Sequence, residues 1–248
     1  MKVVVIGGTG LIGSKVVAGL GEHGHEAVAA SPNTGVNTLT GEGLADVLKG
    51  ASVVVDVSNS PSFADEDVMA FFRTSTTNLL KAEAEADVTH HVALSVVGTD
   101  RLLGSGYFRA KQVQEDLIKA SGAPYSIVHA TQFFEFAKGL ADGVTQGDTV
   151  HLPDAKIQPI VSDDVAAAVS RTAIGAPVNG VVEVAGPEAF QLEEFIRMGL
   201  SAQNDPRKII TDPQATYWGA PLEENTLLPG PDAHIAETKF ADWRAQQQ

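Results

Sequence analysis

Three side chains able to hold, polarise and protonate a carbonyl oxygen lie close together in this sequence. Ser95 ends an apolar stretch, and after the loop VVGTDRLLGSG comes Tyr107-Phe-Arg-Ala-Lys111. Tyr107 and Lys111 are four residues apart, so on a helix they share one face. An ammonium there favours the phenolate and draws the tyrosine pKa down from near 10. The phenol becomes a usable proton donor, with Ser95 holding the oxygen that receives the proton. Y-x-x-x-K alone is also a common chance pattern, a partly buried tyrosine beside a solvated lysine. The elements around it decide between the two.

Those elements begin with MKVVVIGGTGLIGSKVV. Residues 2–6, apolar and β-branched from Val3 onward, show the pattern of a strand buried on both faces of a parallel sheet. Four glycines follow within seven positions, and a helical pattern runs from Leu11 to about Glu22. Gly7, Gly10 and Gly13 match the tasks of a dinucleotide-binding turn: a tight bend, close approach to a pyrophosphate, and packing of helix on strand. Gly8 also completes G-x-G-x-x-G. The helix N-terminus then offers free amides and a positive dipole end to phosphate. A tight turn that binds nothing is the plainer alternative, but it does not call for three spaced glycines.

An NAD site is expected to carry Asp or Glu at the end of the second strand. Ala30-Ser31-Pro32-Asn33 stands there instead. Without a carboxylate to repel a 2′-phosphate, and with Ser31 and Asn33 able to donate, NADP(H) is preferred, with NAD(H) the other option. Lys15 is a candidate cation, its plain alternative being a solvated helix residue. With a nicotinamide dinucleotide bound, Tyr107 would protonate the oxygen as hydride arrives, and Lys111 would also reach the nicotinamide ribose.

Further along, strands are expected at 24–31, 51–58, 90–97 and 125–130, and helices near 44–48, over 65–86 and over 108–120. The β-α-β-α order predicts an α/β fold, a doubly wound parallel sheet of Rossmann type. Beyond about residue 135 the rhythm weakens, leaving 157–161, a helix over 163–174 headed by Ser162, Asp163 and Asp164 as N-cap residues, 181–186, and a helix near 191–203. Residues 1–150 read as mainly the dinucleotide-binding core. Residues 151–248 read as a small substrate-binding region completing one domain, with 204–248 as a lid anchored by Trp218, Phe240 and Trp243.

Bulk composition narrows the function classes. Seventeen basic residues against 31 acidic ones, a net charge of −14, oppose nucleic-acid binding. There is no cysteine, so disulfides, thiolate metal sites and a cysteine nucleophile are excluded. The seven histidines show no metal-ligand spacing and read as structural, so no metal is expected. Glu83 and Glu85 read as a solvated helix face. No apolar run approaches the roughly 18 residues of a membrane span, and Val3–Ile6 is too short for a targeting segment. A cytoplasmic protein with a small-molecule partner, and neither nucleic acid nor membrane, is expected.

GGTGLIGS, LSVVG at 94–98, YFRAK, YSIVHATQFFEF at 125–136, IQPIVSDDVAAA and VVEVAGPE together resemble the atypical short-chain dehydrogenase/reductase proteins, in their NmrA-like NAD(P)H-binding branch. The likeness covers most of the chain. It implies a Rossmann-type fold in which Gly7, Thr9, Gly10, Leu11, Ile12 and Gly13 line the pyrophosphate. Val57 and Ser58 flank the adenosine half, and Thr131, Gln132 and Phe133 the nicotinamide end. Ser95, Tyr107 and Lys111 match the superfamily's Ser-Tyr-Lys pattern, which many members of the branch lack in part. His129 stands where Arg or Lys is expected.

Phe133, Phe134 and Phe136 could wall the substrate side, with at least one of them in the core. Phe134 and Phe136 are the substrate candidates. The expected activity is NADPH-dependent hydride transfer to a carbonyl or quinone. The alternatives are a non-catalytic NAD(P)(H)-binding redox sensor, to which the branch also points, and, third, a sugar-nucleotide epimerase or dehydratase. The superfamily often pairs through helices, which leaves a homodimer open.

Overall fold

The computed structural model describes residues 1–247. Its first half alternates as the sequence predicts: β1 (Lys2–Ile6), α1 (Leu11–Glu22), β2 (Glu26–Ala30), α2 (Leu44–Leu48), β3 (Val53–Asp56), α3 (Asp65–Glu85), β4 (His90–Val96), α4 (Gly106–Ala120) and β5 (Tyr125–Ala130). The second half is α5 (Ala137–Gly143), β6 (Thr145–Gln146), β7 (Thr149–Leu152), β8 (Lys156–Ile157), α6 (Ser162–Ile174), β9 (Gly180–Ala185), β10 (Phe190–Gln191), α7 (Leu192–Ser201), β11 (Lys208–Thr211), β12 (His234–Ile235) and α8 (Phe240–Ala245).

Seven strands form one parallel sheet in the order β12-β9-β5-β4-β3-β1-β2. This is a Rossmann-type α/β fold. The chain runs from β1 out to β2, then crosses back to β3 on the other side of β1. The C-terminal ends of β1 and β3 are therefore a topological switch point, where such sheets leave a crevice.

From Val3 to Ile6 the β1 run is apolar because both of its faces are covered. Val3 and Val5 pack with Ile12, Val16 and Leu20 of α1 and Val165 and Val169 of α6. Val4 and Ile6 pack with Leu44 and Leu48 of α2 and Leu79 of α3. On that second face Ile118 of α4 joins Ala93 and Ile127.

The structure adds to or departs from the sequence reading in four places. First, of the segment 157–161 only Ile157 lies in a strand, Lys156–Ile157, paired antiparallel with β10. Pro159 has no amide to continue a ladder, and Ile160 N still donates to Gln132 O at 2.9 Å. Second, the 204–248 segment is more than a lid: β11 pairs with β7 in a small sheet with β6, and β12 joins the edge of the main sheet beside β9. Such two- to four-residue strands carry no readable periodicity.

Third, Glu83 is not solvated; only Glu85 is. Glu83 is 3 % exposed and bonded to His91 Nδ1 at 2.8 Å, because helical spacing turns it in towards β4. Fourth, α6 starts at Ser162, and neither Ser162 nor the aspartates cap it with a side chain. Glu135 Oε1 instead accepts from Ser162 N at 3.2 Å and from the Ser162 hydroxyl, so the cap comes from a 3₁₀ turn, Phe134–Phe136.

A second core joins the two halves of the chain: Leu102, Phe108 and Leu140 pack with Phe195, Ile196, Leu227 and Phe240. Phe195 is fully buried there. We expect Phe195→Ala to lower the unfolding free energy by about 3–5 kcal/mol while keeping a single unfolding transition by circular dichroism and fluorescence. Two separated transitions would show that the halves unfold independently.

Candidate functional site

The loop after β1 is shaped by contacts that admit no side chain. Gly7 has φ +76°, a conformation that favours glycine, and a Cβ there would sit 2.9 Å from Ser58 Cα. A Cβ on Gly13 would meet Gly7 O at 2.1 Å, so the first turn of α1 lies directly against the loop. Gly10 is the exposed N-cap of α1 and makes no side-chain cap. The first helix bond closes at Ser14 N to Gly10 O (3.0 Å), leaving the amides of residues 11–13 without an intrahelical acceptor. No acidic residue lies in that first turn. The result is a mouth of free amides suited to an anion.

This mouth opens into a cleft of about 840 Å3 at the switch point, in the upper part of the roughly 300–1,000 Å3 range of ligand sites. Gly7, Thr9, Gly10, Leu11 and Ile12 line it, whereas Gly13 lies beneath, buried. Val57 and Ser58 line the wall after β3. Asp56 is buried and accepts from Ser58 N (3.0 Å) and Ser58 Oγ (2.6 Å), which fixes that turn. Ser31 lines the cleft with a buried, unpaired hydroxyl. Asn33 sits on the exposed turn Pro32–Thr34, outside the lining. Lys15 is not free for a phosphate: its ammonium bonds Asp163 Oδ2 at 2.6 Å and Ser162 Oγ at 2.8 Å, tying α1 to α6.

At the far side, Tyr107 and Lys111 do share the cleft-facing side of α4, as their spacing predicts. Phe72 lies against both: its ring meets Tyr107 edge-on at 6.0 Å, and Lys111 Nζ sits 4.5 Å above it. The Lys111 ammonium also donates to Leu94 O at 2.9 Å and to Gln114 Oε1. Its three directions are thus taken by a carbonyl, an amide and a ring. Gln114 Nε2 reaches Asp56 Oδ2 at 3.0 Å, linking the lysine to the β3 turn.

Burial lowers Lys111 to about 8, against the pull of Asp56 and Glu115. Burial pushes Tyr107 up to about 12. Burial alone sets that direction, and the lowering expected from Lys111 is absent here.

Ser95 also lines the cleft, but its hydroxyl donates to Glu115 Oε1 at 2.7 Å. Glu115 gathers His129 Nε2 at 2.8 Å on the same oxygen and Lys119 Nζ at 3.1 Å on the other. Burial alone would raise this carboxyl, and the hydrogen bonds from His129, Ser95 and Lys119 outweigh it, holding Glu115 at about 2. Composition and spacing do not single out Glu115. Only the side-by-side placement of β4, β5 and α4 does.

Thr131, Gln132 and Phe133 line the cleft beyond β5, and Thr131 Oγ1 and both carboxamide atoms of Gln132 are buried and unpaired. Phe136 is exposed and stacks on Phe133 (5.2 Å between centroids) at the cleft wall. Phe134, a substrate candidate from sequence, instead turns into the second core, edge-on to Phe240 at 5.1 Å. Its neighbours on α8 lie about a hundred residues along the chain, beyond the reach of local pattern. Among the described residues no cluster of His, Asp or Glu is arranged to hold a metal ion, and no helix is long and apolar enough to cross a membrane.

A nicotinamide dinucleotide fits this cleft on three observations: the glycine-lined amide mouth, and the unpaired buried hydroxyls of Ser31 and Thr131 at its two ends. The glycine-rich loop of residues 7–13 would hold the diphosphate, Ser31, Val57 and Ser58 one ribose-base half, and Thr131 to Phe133 the other.

No family model and no curated protein matches the sequence. Solved structures share the fold at low identity. A dTDP-4-dehydrorhamnose reductase from Clostridium acetobutylicum is 16 % identical with a TM-score of 0.72, covering 100 % of this chain and 99 % of its own. An NADPH-dependent quinone oxidoreductase from Escherichia coli is 15 % identical with a TM-score of 0.69, covering 99 % of both chains. A UDP-glucose 4-epimerase from Thermus thermophilus, solved with NAD, is 16 % identical with a TM-score of 0.68, covering 92 % of both.

Because the Glu115 pKa is depressed on folding, its contribution to stability is full above about 4.5 and is lost as pH falls towards about 2. Glu115→Gln is expected to cost about 2–3 kcal/mol at neutral pH. Denaturant titrations should show the gap to the parent closing between those pH values. A gap unchanged down to pH 2 would contradict the hydrogen-bonded carboxylate.

Proposed function

We propose that the protein is an NADPH-dependent oxidoreductase that reduces a carbonyl or quinone, with Tyr107 as proton donor. The observation that carries this reading is the placing of the glycine-lined amide mouth and the Tyr107 ring in the lining of one cleft. The fold is shared with an NADPH-dependent quinone oxidoreductase and a UDP-glucose 4-epimerase solved with NAD, and the sequence resemblance to the NmrA-like branch of short-chain reductases supports the same choice.

When bound, the dinucleotide would supply hydride, a proton with two electrons, to the substrate. The chain provides the rest. Tyr107 Oη, a neutral phenol whose burial raises its pKa to about 12, keeps its proton until negative charge develops on the carbonyl oxygen and then gives it to that oxygen. Lys111 keeps a buried positive charge beneath that oxygen's side of the cleft and fixes the α4 face through Leu94 O. Ser95 acts as cleft wall while its hydroxyl donates to the Glu115 carboxylate. NADP(H) is favoured because no carboxylate follows β2, and Ser31 Oγ is free to donate to a 2′-phosphate.

A second reading, a dinucleotide-binding redox sensor without turnover, is favoured by one observation: Ser95 and Lys111 are both engaged by protein partners.

The test is a melting scan with NADPH against NADH, followed by NADPH absorbance on a panel of carbonyls and quinones. NADPH at 100 times its Kd should stabilise the protein by about 2.7 kcal/mol, and more than NADH at equal concentration. Tyr107→Phe should lower kcat/KM by about 10²-fold or more, and Ser95→Ala much less. Activity should fall as pH rises through about 8, where Lys111 loses its proton. Lys111→Met, slower throughout, should lack that limb. Tight NADPH binding without oxidation across the panel would establish the sensor instead.

A further inference from the structure

The turn at residues 217–220 holds a conformation its sequence does not favour. Tyr217 N donates to Ala220 O at 2.7 Å and Ala220 N to Tyr217 O at 3.0 Å, closing a two-residue hairpin turn. Both central residues have positive φ, Trp218 at +51° and Gly219 at +88°. A turn of this kind favours Asn-Gly, and a bulky aromatic at its first position is strained. Such strain persists where the surroundings hold it, and points to a use.

Here the strain carries an indole to the cleft. Trp218 is 41 % exposed and stacks on the 50 %-exposed Phe63, with centroids 5.6 Å apart and planes inclined by 28°. Phe63 in turn meets the ring of Tyr107 at 5.7 Å. Two large aromatic residues left open to solvent thus stand next to the proton donor, one from the loop before α3 and one from the C-terminal third. Both line the cleft.

Two further observations define what they would face. Among the residues lining the cleft Lys111 is the single charged one, and its ammonium is engaged inside the protein. A substrate carrying its own phosphates would find no cation there, the amide mouth being needed by the dinucleotide. Meanwhile Gln132 is 93 % buried at the cleft wall, its carboxamide beside the Tyr217 phenol as a loose hydrogen-bond neighbour and with neither atom in a well-formed hydrogen bond. An unpaired buried amide is costly and is satisfied by a ligand oxygen.

We propose that the substrate end of the cleft is a slot for one flat, uncharged ring bearing a carbonyl, stacked by the Phe63–Trp218 pair and hydrogen-bonded through Gln132. This rests on the reductase reading above and narrows its substrates to aryl carbonyls and quinones, against sugar nucleotides. Face-to-face aromatic contact selects planarity, and the lone amide selects an acceptor.

The experiment uses the full chain with NADP bound and a Trp243→Phe background, so that Trp218 is the one indole. Trp243 packs on Phe134 and Phe240, away from the cleft. 2-Methyl-1,4-naphthoquinone should quench Trp218 fluorescence saturably, and UDP-glucose should not. Since Trp218 is the reporter, its variants are read by calorimetry and by KM. Trp218→Gly removes the ring and relieves the positive-φ strain, so it should raise Kd and KM by about tenfold without lowering the melting temperature. Trp218→Phe should restore most of the affinity. Gln132→Leu should raise KM for the quinone.

Saturable quenching without NADPH oxidation would leave the slot standing and defeat the reductase reading. NADPH oxidation with Trp218→Gly indistinguishable from the parent, or saturable binding of UDP-glucose, would overturn the slot.

Discussion

The first turn of α1 lies so close to the loop after β1 that a single added carbon at Gly13 would stand 2.1 Å from the Gly7 carbonyl. Everything at the switch point follows from that contact. It brings the start of α1 against the end of β1, leaves the amides of residues 11–13 facing the crevice, and sets the β3 turn at Val57 and Ser58 against the same glycine. Removing side chains costs conformational freedom on folding. The β1 strand offsets this by burying Val3, Val4 and Val5 completely between two helix layers.

Beneath the cleft floor the polar groups are joined rather than isolated. One chain of contacts runs from the Ser58 turn through Asp56 and Gln114 to Lys111 and the Leu94 carbonyl. Another joins Ser95, Glu115, His129 and Lys119. Buried charge is tolerable only when each partner is satisfied. That requirement explains why the reactive-looking trio does not touch itself: Ser95 and Lys111 are each claimed by a network that holds β3, β4, β5 and α4 in register. Tyr107 alone is left to burial, which keeps its proton in place. The cleft above is consequently short of charge and rich in rings.

The C-terminal third contributes to both layers of this arrangement. Its α7 and α8 complete the second core through Phe195 and Phe240, and β12 extends the main sheet. The strained turn at Trp218 carries an aromatic ring back to the loop before α3. One segment thus closes the sheet edge and shapes the substrate side.

By itself the sequence determined the alternation of strands and helices to residue 130, the sheet class, the glycine mouth and the shared face of Tyr107 and Lys111, because each is a local pattern of burial or spacing. Helical periodicity placed α1 and β-branched runs placed β1 and β3. What surrounds Ser95 and Lys111, the burial of Glu83 against His91, the turning of Phe134 into the core and the cap that Glu135 gives to α6 were decided only in three dimensions. Each pairs residues from different elements, and a charged or aromatic side chain gives no local sign of whether its partner is water or a strand folded in from elsewhere.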